Sequence, residues 1–487
     1  MAKLGSAIGW SYALTAGRVG ASTVVTFVLA KLLGPAEFGV VAMAMLFLTI
    51  AQTVLQQGLV SAIVQRDQLT GDHLDAAFGV LVLSGLGIGL LTAAASPLWA
   101  LVNREPELTV VCLALSPLVL VQALTVVPEA VLRRDLRFRS IAIRTLIAVF
   151  ASGVVGIVLA VAGAGVWALV AQQLVSAVAG LVVLWAVCPW RPRLTRDLRP
   201  IRDLWRFSAH SANAGLGLML SSKSDQLFTG LFFGPLAVGI YRLAGRLPDM
   251  LVDVTVRSLQ QVALPALSRL QADRRAFAAR LTELQHIGAV VGLPLLGVLV
   301  AVAEPLIALL GPQWSGTALP LQLLCLYGAT NVYGVLLGPA LQAIGKPGRL
   351  AAIAWGRGLL GVAVFVVVGL AAAHGTPVRQ ASAIALAAIG LNLVLTAIAV
   401  HTTVRRTVDG SIVDFLVPTL PAVLAALAAA AVAFLPNLGP LASLLVNGAA
   451  AGAVAGALLW LTDGRLRTMV RARLARRRIA EPAEQPA

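Results

Sequence analysis

Residues 108–162 read LTVVCLALSPLVLVQALTVVPEAVLRRDLRFRSIAIRTLIAVFASGVVGIVLAVA. Two apolar runs, 108–131 and 141–162, flank a short stretch carrying Arg133, Arg134, Arg137 and Arg139. A hydrocarbon core of about 30 Å needs about 20 apolar residues in a helix. Each run has that length, so the passage reads as helix, basic loop, helix.

The same alternation continues in both directions. Fourteen spans can be placed, at 8–32, 39–64, 76–102, 108–131, 141–162, 165–188, 207–232, 236–266, 283–309, 317–343, 350–373, 379–401, 412–435 and 440–462. The chain is 59% hydrophobic and 12% charged, with mean hydropathy +0.90. The surface of a soluble globule needs about twice that charged fraction. The expectation is an all-α polytopic membrane protein with about fourteen transmembrane helices. Its expected organisation is an N-terminal lobe over 1–190, a basic linker over 191–206 and a C-terminal lobe over 207–402. Two further helices follow within 403–464, then a basic tail over 465–487.

The charges orient these spans, because short loops rich in Lys and Arg stay in the cytoplasm. Taking connections alternately, one side collects 28 basic residues, from Lys3 and Arg66 through the runs at 133–144, 191–206 and 269–280 to Arg465–Arg478. The other side holds three, Lys31, Arg104 and Arg379. Both termini are therefore expected in the cytoplasm of a bacterial inner membrane. Arg18 interrupts the first apolar run, which continues as a helix rather than a cleaved leader. The net charge of +16 belongs to a cytoplasmic rim facing anionic lipid headgroups, and no nucleic-acid partner is expected. Cys112, Cys188 and Cys325 are odd in number and widely spaced, which offers no disulfide framework or zinc site.

A repeat is visible within the chain. Leu32-Leu33-Gly34-Pro35-Ala36-Glu37-Phe38-Gly39-Val40 joins the first two spans, and Phe232-Phe233-Gly234-Pro235-Leu236-Ala237-Val238-Gly239-Ile240 joins the seventh and eighth. Gly-Pro marks a point where one helix stops and another starts. Six spans separate the copies, so the lobes run in parallel, related by a pseudo-two-fold axis along the membrane normal.

Several stretches carry a family resemblance. They are Leu132-Arg133-Arg134-Asp135-Leu136-Arg137-Phe138-Arg139, Gly163-Ala164-Gly165-Val166-Trp167-Ala168-Leu169-Val170, Trp190-Arg191-Pro192 and Ser224-Asp225-Gln226. The Gly-Pro turn at 234–235, Leu264-Pro265-Ala266-Leu267-Ser268-Arg269-Leu270 and Gly311-Pro312-Gln313-Trp314 follow in order. Over roughly residues 1–350 the chain resembles the Wzx-like polysaccharide flippases of the MATE/MOP transporter superfamily, of the kind called lipopolysaccharide biosynthesis proteins. The branch it is most similar to is that of the colanic-acid and teichuronic-acid exporters. The resemblance implies movement of undecaprenyl-diphosphate-linked oligosaccharide from the cytoplasmic to the outer leaflet by alternating access. A polysaccharide polymerase and glycosyltransferases are its implied partners, beside the lipid-linked oligosaccharide and the membrane lipids.

Independently of any family, ionisable groups inside spans are informative. A charge at mid-bilayer costs at least about 2.5–3.5 kcal/mol, so each should face a cavity or a partner. In the eighth span Arg242, Arg246, Asp249, Asp253 and Arg257 step by four, three, four and four. At about 100° per residue they occupy a stripe roughly 80° wide. The stripe lines a water-filled lumen or a seam between helices. Pro248 lies within it and should kink the ladder. Lys223 and Asp225 in the seventh span are two residues apart and cannot share a helix face. Lys223 to the lumen with Asp225 on an interhelical contact is one solution, and the reverse is the other. The first span adds Arg18 on one face with Ser11, Thr15 and Ser22.

Arg18, Lys223, Arg242, Arg246 and Arg257 are thus the candidate ligands of an anionic cargo. Asp225, Asp249 and Asp253 are candidate coupling or structural charges. Arg suits a diphosphate because its guanidinium can bind the oxygens as a fork. A cation antiporter of the same superfamily, the alternative function, would want an uncompensated carboxylate instead, and Asp225 is the candidate for that. No catalytic constellation, metal-ligand spacing or Walker loop occurs. The chain is expected to be a carrier without cofactors rather than an enzyme. An inside-negative potential would favour outward movement of an anionic headgroup by about 2.3 kcal/mol per charge per 100 mV.

Overall fold

The computed structural model describes residues 17, 20–65, 71–135, 137–193, 199–405, 410–436 and 438–468, and every regular element among them is a helix. In chain order these are α1 (Gly20–Leu32), α2 (Pro35–Gln65), α3 (Gly71–Asn103), α4 (Glu107–Leu115), α5 (Pro117–Arg134) and α6 (Phe138–Val161). Then come α7 (Val166–Val187), α8 (Arg199–Val252), α9 (Ser258–Ser268), α10 (Arg274–Ala301), α11 (Ala303–Ala308) and α12 (Ala318–Gly334). The series ends with α13 (Leu337–Ala343), α14 (Pro347–Ala371), α15 (Pro377–Val400), α16 (Ile412–Leu416), α17 (Leu420–Ala431) and α18 (Pro440–Thr462).

Among the described residues, twelve stretches are long and apolar enough to cross a membrane. The shorter apolar α1 stands outside that group, and one 42-residue stretch, Gly215–Val256, covers the seventh and eighth expected spans together. It is not one rod. Gly234 has φ 77° and ψ −172°, a conformation that essentially only glycine adopts, so the backbone turns between Phe233 and Pro235.

Packing inverts the pattern of a soluble helix. On α3 the buried positions include Ala76, Ala77, Gly85, Gly89, Thr92, Ser96 and Ala100, while Leu83, Leu90 and Leu101 are exposed. On α18, Ser443, Asn447, Ala451 and Ala455 are buried at every fourth position, and Leu441, Leu445 and Leu461 face outward. Lipid tails are as apolar as leucine, so large side chains gain nothing by turning inward. Small and hydroxyl-bearing residues go inside because they let backbones approach.

The chain forms two compact units. The first comprises Met1–Leu247, Leu310–Pro320 and Ala351–Leu391; the second comprises Pro248–Leu309, Leu321–Leu350 and Asn392–Ala487. Their boundaries fall inside α8 and inside α15, so they follow packing rather than the order of spans. In the first unit the half of α8 before Gly234 lies along α14. A Cβ added at Gly217 would sit 2.8 Å from Trp355 Nε1, and one at Gly369 would sit 2.3 Å from Phe232 Cδ2. In the second unit α10 and α17 touch backbone to backbone, since a Cβ at Gly297 would lie 2.3 Å from the Ala426 carbonyl oxygen.

The two Gly-Pro segments meet each other within the first unit. A Cβ on Gly39 would lie 1.8 Å from the carbonyl oxygen of Pro235, and a Cβ on Gly239 would lie 1.8 Å from that of Pro35. No side chain fits at either position, which explains why glycine follows Gly-Pro at the same spacing in both copies.

Candidate functional site

The charged face of α8 is built by the turn at Gly234. Folding back there brings the two halves of the helix together at consecutive rungs. Tyr241 Oη donates to Asp225 Oδ2 at 2.7 Å, and Arg242 Nη1 donates to Gln226 Oε1 at 3.4 Å. Asp225 Oδ1 also accepts from the backbone N–H of Gln226 at 2.8 Å. Of the two placements open to the Lys223–Asp225 pair, Asp225 takes the interhelical one. Ser224 beside it is buried, and Gly361 on α14 is near enough that a Cβ there would lie 3.1 Å from its hydroxyl. Lys223 is half-buried.

One turn further along α8, Arg246 reaches α1. Its Nη2 donates to Ser22 Oγ at 2.6 Å. The polar face read in the first span and the charged stripe read in the eighth therefore meet at these two residues. Arg246 is half-buried and Arg242 is exposed, although both lie within the apolar stretch Gly215–Val256. Arg18 lies outside the described residues.

The stripe does not keep α-helical periodicity to its end. Residues Asp253–Arg257 form a π-helical turn, which follows Pro248 by one turn. Projection at 100° per residue consequently fails from Asp253 onward, and the expected single face ends there. Asp249 and Asp253 are exposed and belong to the second unit; the side chain of Arg257 lies outside the described set.

The first unit also shows what the Arg-rich and Trp-containing motifs do. Glu129 pairs with Arg133 and with Arg144, each at 2.7 Å. Arg137 donates to the carbonyl of Val187 at 3.3 Å, and Arg191 to those of Cys188 and Trp190. Cations therefore cap the C-terminal end of α7, where unsatisfied carbonyls collect partial negative charge. Cys188 is buried there. Far along the chain, Gly311-Pro312-Gln313-Trp314 caps α1. Trp314 Nε1 donates to the carbonyl of Ala30 at 2.6 Å and Gln313 Nε2 to that of Lys31 at 3.3 Å. These motifs hold helix ends.

The second unit contains an apolar cavity of about 510 Å³. Its walls come from α10 (Leu293, Leu296, Gly297, Val300), α12 (Cys325, Leu326, Ala329), α15 and α17, with Thr330, Tyr333, Thr396 and His401 among its polar residues. Tyr333 Oη lies 3.0 Å from Thr419 Oγ1. The sequence carried no signal for this cavity, because its residues are ordinary apolar ones from five separate helices, α16 included. Among the described residues no group of three or more His, Cys, Asp or Glu is placed to hold a metal.

A family model described as polysaccharide biosynthesis protein matches residues 28–319. The chain is 28% identical over 311 residues to the succinoglycan biosynthesis transport protein ExoT of Rhizobium meliloti (strain 1021), a match spanning 63% of each chain. It is 26% identical to the teichuronic acid biosynthesis protein TuaB of Bacillus subtilis (strain 168), over 65% of this chain and 67% of that one. In fold it is similar to the lipid II flippase MurJ in its inward closed conformation, with a TM-score of 0.71 and 15% identity, over 94% of this chain and 99% of the other.

Proposed function

The chain belongs to the polysaccharide biosynthesis protein family, and we propose that it is a flippase for polyprenyl-diphosphate-linked oligosaccharides, carrying them from the cytoplasmic to the outer leaflet without altering them. The observation that carries this reading is the guanidinium of Arg246 on Ser22, inside membrane-spanning sequence. A cation kept at that depth, with Arg242 four residues away, suits a dianionic headgroup that cannot enter hydrocarbon bare. Asp225 accepts from Tyr241 and from a backbone N–H, which speaks for a structural carboxylate rather than a cation-exchange site. The apolar cavity of the second unit supplies a place for part of a long isoprenoid tail. Similarity to transport proteins named for succinoglycan and teichuronic acid supports a glycan cargo.

Within this reading the chain has fourteen spans, two six-helix lobes over 1–190 and 207–402, and both termini in the cytoplasm of the inner membrane. The 28-to-3 division of basic residues supports that orientation. Arg18, Lys223, Arg242, Arg246 and Arg257 line the path of the headgroup. Asp225, Asp249 and Asp253 serve as coupling or structural charges. The protein acts as a carrier and not as an enzyme, working between the glycosyltransferases that complete the repeat unit and the polymerase that consumes it.

Depletion tests this directly. Complete, unpolymerised lipid-linked repeat units should accumulate where only cytoplasmic probes reach them. Arg246→Gln should reproduce that accumulation at normal protein abundance. Repeat units arriving at the outer face at the usual rate, or accumulating as incomplete glycans, would refute the flippase reading.

A further inference from the structure

Two titratable side chains that play no part in the charged face meet inside the second unit. His286 of α10 and Asp463, the residue that ends α18, are each 3% exposed, and His286 Nε2 lies 3.1 Å from Asp463 Oδ2. On the other side of the ring, Nδ1 is 2.7 Å from the carbonyl oxygen of Pro418. A carbonyl can only accept, so Nδ1 carries hydrogen and donates. Asp463 is fixed from behind, its Oδ1 accepting from the backbone N–H of Leu466 at 2.9 Å. Nε2 and Oδ2 are close without hydrogen-bond alignment.

The clasp joins α10, the turn that leads into α17, and the end of α18. The same α10 and α17 form two walls of the apolar cavity, and their backbones cross at Gly297 and Ala426 between the wall residues. The close backbone crossing fixes the two helices at one point; a second attachment away from the crossing fixes their angle. We propose that His286 and Asp463 are positioning residues that seat α17 and α18 on α10 and so hold the walls of the cavity in place against a polyisoprenoid chain. The choice of ligand rests on the flippase reading; the seating does not. Loss of either partner leaves a buried polar group uncompensated, and the helix pair detaches locally rather than bury it.

The natural cysteines supply the probe. Cys325 lines the cavity and is 1% exposed, while Cys112 and Cys188 are buried in the first unit. Full-length protein in nanodiscs is labelled with N-phenylmaleimide, and each thiol is followed by mass spectrometry. In His286→Ala and in Asp463→Ala, Cys325 should label about tenfold faster as local opening becomes easier, with Cys112 and Cys188 unchanged. Asp463→Asn, whose amide can donate to the neutral ring, should label as wild type. Binding of a long-chain polyprenyl phosphate should weaken in the alanine variants while binding of geranyl phosphate does not. Unchanged Cys325 labelling, acceleration of all three thiols together, Asp463→Asn behaving as Asp463→Ala, or equal weakening of both lipids would each overturn the assignment. Labelling as expected in a protein that exports no lipid would instead refute the flippase reading and leave the clasp intact.

Discussion

The two Gly-Pro segments have nearly the same sequence pattern and solve the turn in different ways. At the first, Gly34 keeps negative φ among the described residues, and its N–H donates to Glu37 Oε2 at 3.1 Å. A distant segment completes it, Trp314 capping Ala30 and packing edge-on against Phe38 with ring centroids 5.6 Å apart. At the second, position 237 is alanine, no carboxylate reaches back, and Gly234 takes φ 77° instead. The first turn is held by side chains and the second by backbone conformation. What the copies share is the crossing, Gly39 on Pro235 and Gly239 on Pro35.

The largest expected effect comes from the shared feature. Gly39→Val and Gly239→Val each push a side chain into a backbone carbonyl, which overpacking places at about 3 kcal/mol. Both should lose most of their monodisperse protein in a thermal size-exclusion assay, and to a similar degree. A large effect at one glycine alone would break the reciprocity.

A smaller pair of changes should separate the two turns. Gly234→Ala puts a side chain into a conformation that costs about 2 kcal/mol, and its thermal midpoint should fall clearly. In Gly34→Ala the added methyl meets only the end of the Glu37 side chain, 2.9 Å away, which can move, and the loss should stay below about 0.5 kcal/mol. Equal losses at the two glycines would show that the turns are alike after all. A further contrast is Trp314→Phe, which removes one donor to Ala30, leaves a void at a fully buried position and should cost about 2 kcal/mol. Combined with Gly234→Ala, its effect should depart from simple addition, because the two turns are in contact through Gly39 and Gly239.

What could be read from sequence was what periodicity and hydropathy report. The spans, the repeated Gly-Pro segments and the polar faces of the first and eighth spans are all local patterns, and Arg246 on Ser22 joins two of them. Spacing alone left Lys223 and Asp225 in two arrangements, and the contact of Asp225 with Tyr241 lies outside what spacing can report. The π-helical turn at Asp253–Arg257 could not be anticipated by a projection that assumes one residue angle throughout. His286 and Asp463 were invisible for a different reason. They lie far apart in sequence, each looks like an ordinary end-of-span residue, and their pairing exists only once α18 has returned to α10. The cavity was hidden because a void leaves no residue type behind.

The crossing of the two Gly-Pro segments is isologous. Each copy contributes the same pair of surfaces, a glycine face and a proline carbonyl, and each surface meets the other's counterpart, as in a contact between identical subunits across a two-fold axis. Here both partners lie on one polypeptide, so their concentration relative to each other is fixed and the contact needs no partner molecule. It also makes the two segments a single mutational unit. A change at Gly39 can be answered only near Pro235, and one at Gly239 only near Pro35, so neither copy can be rewritten without the other.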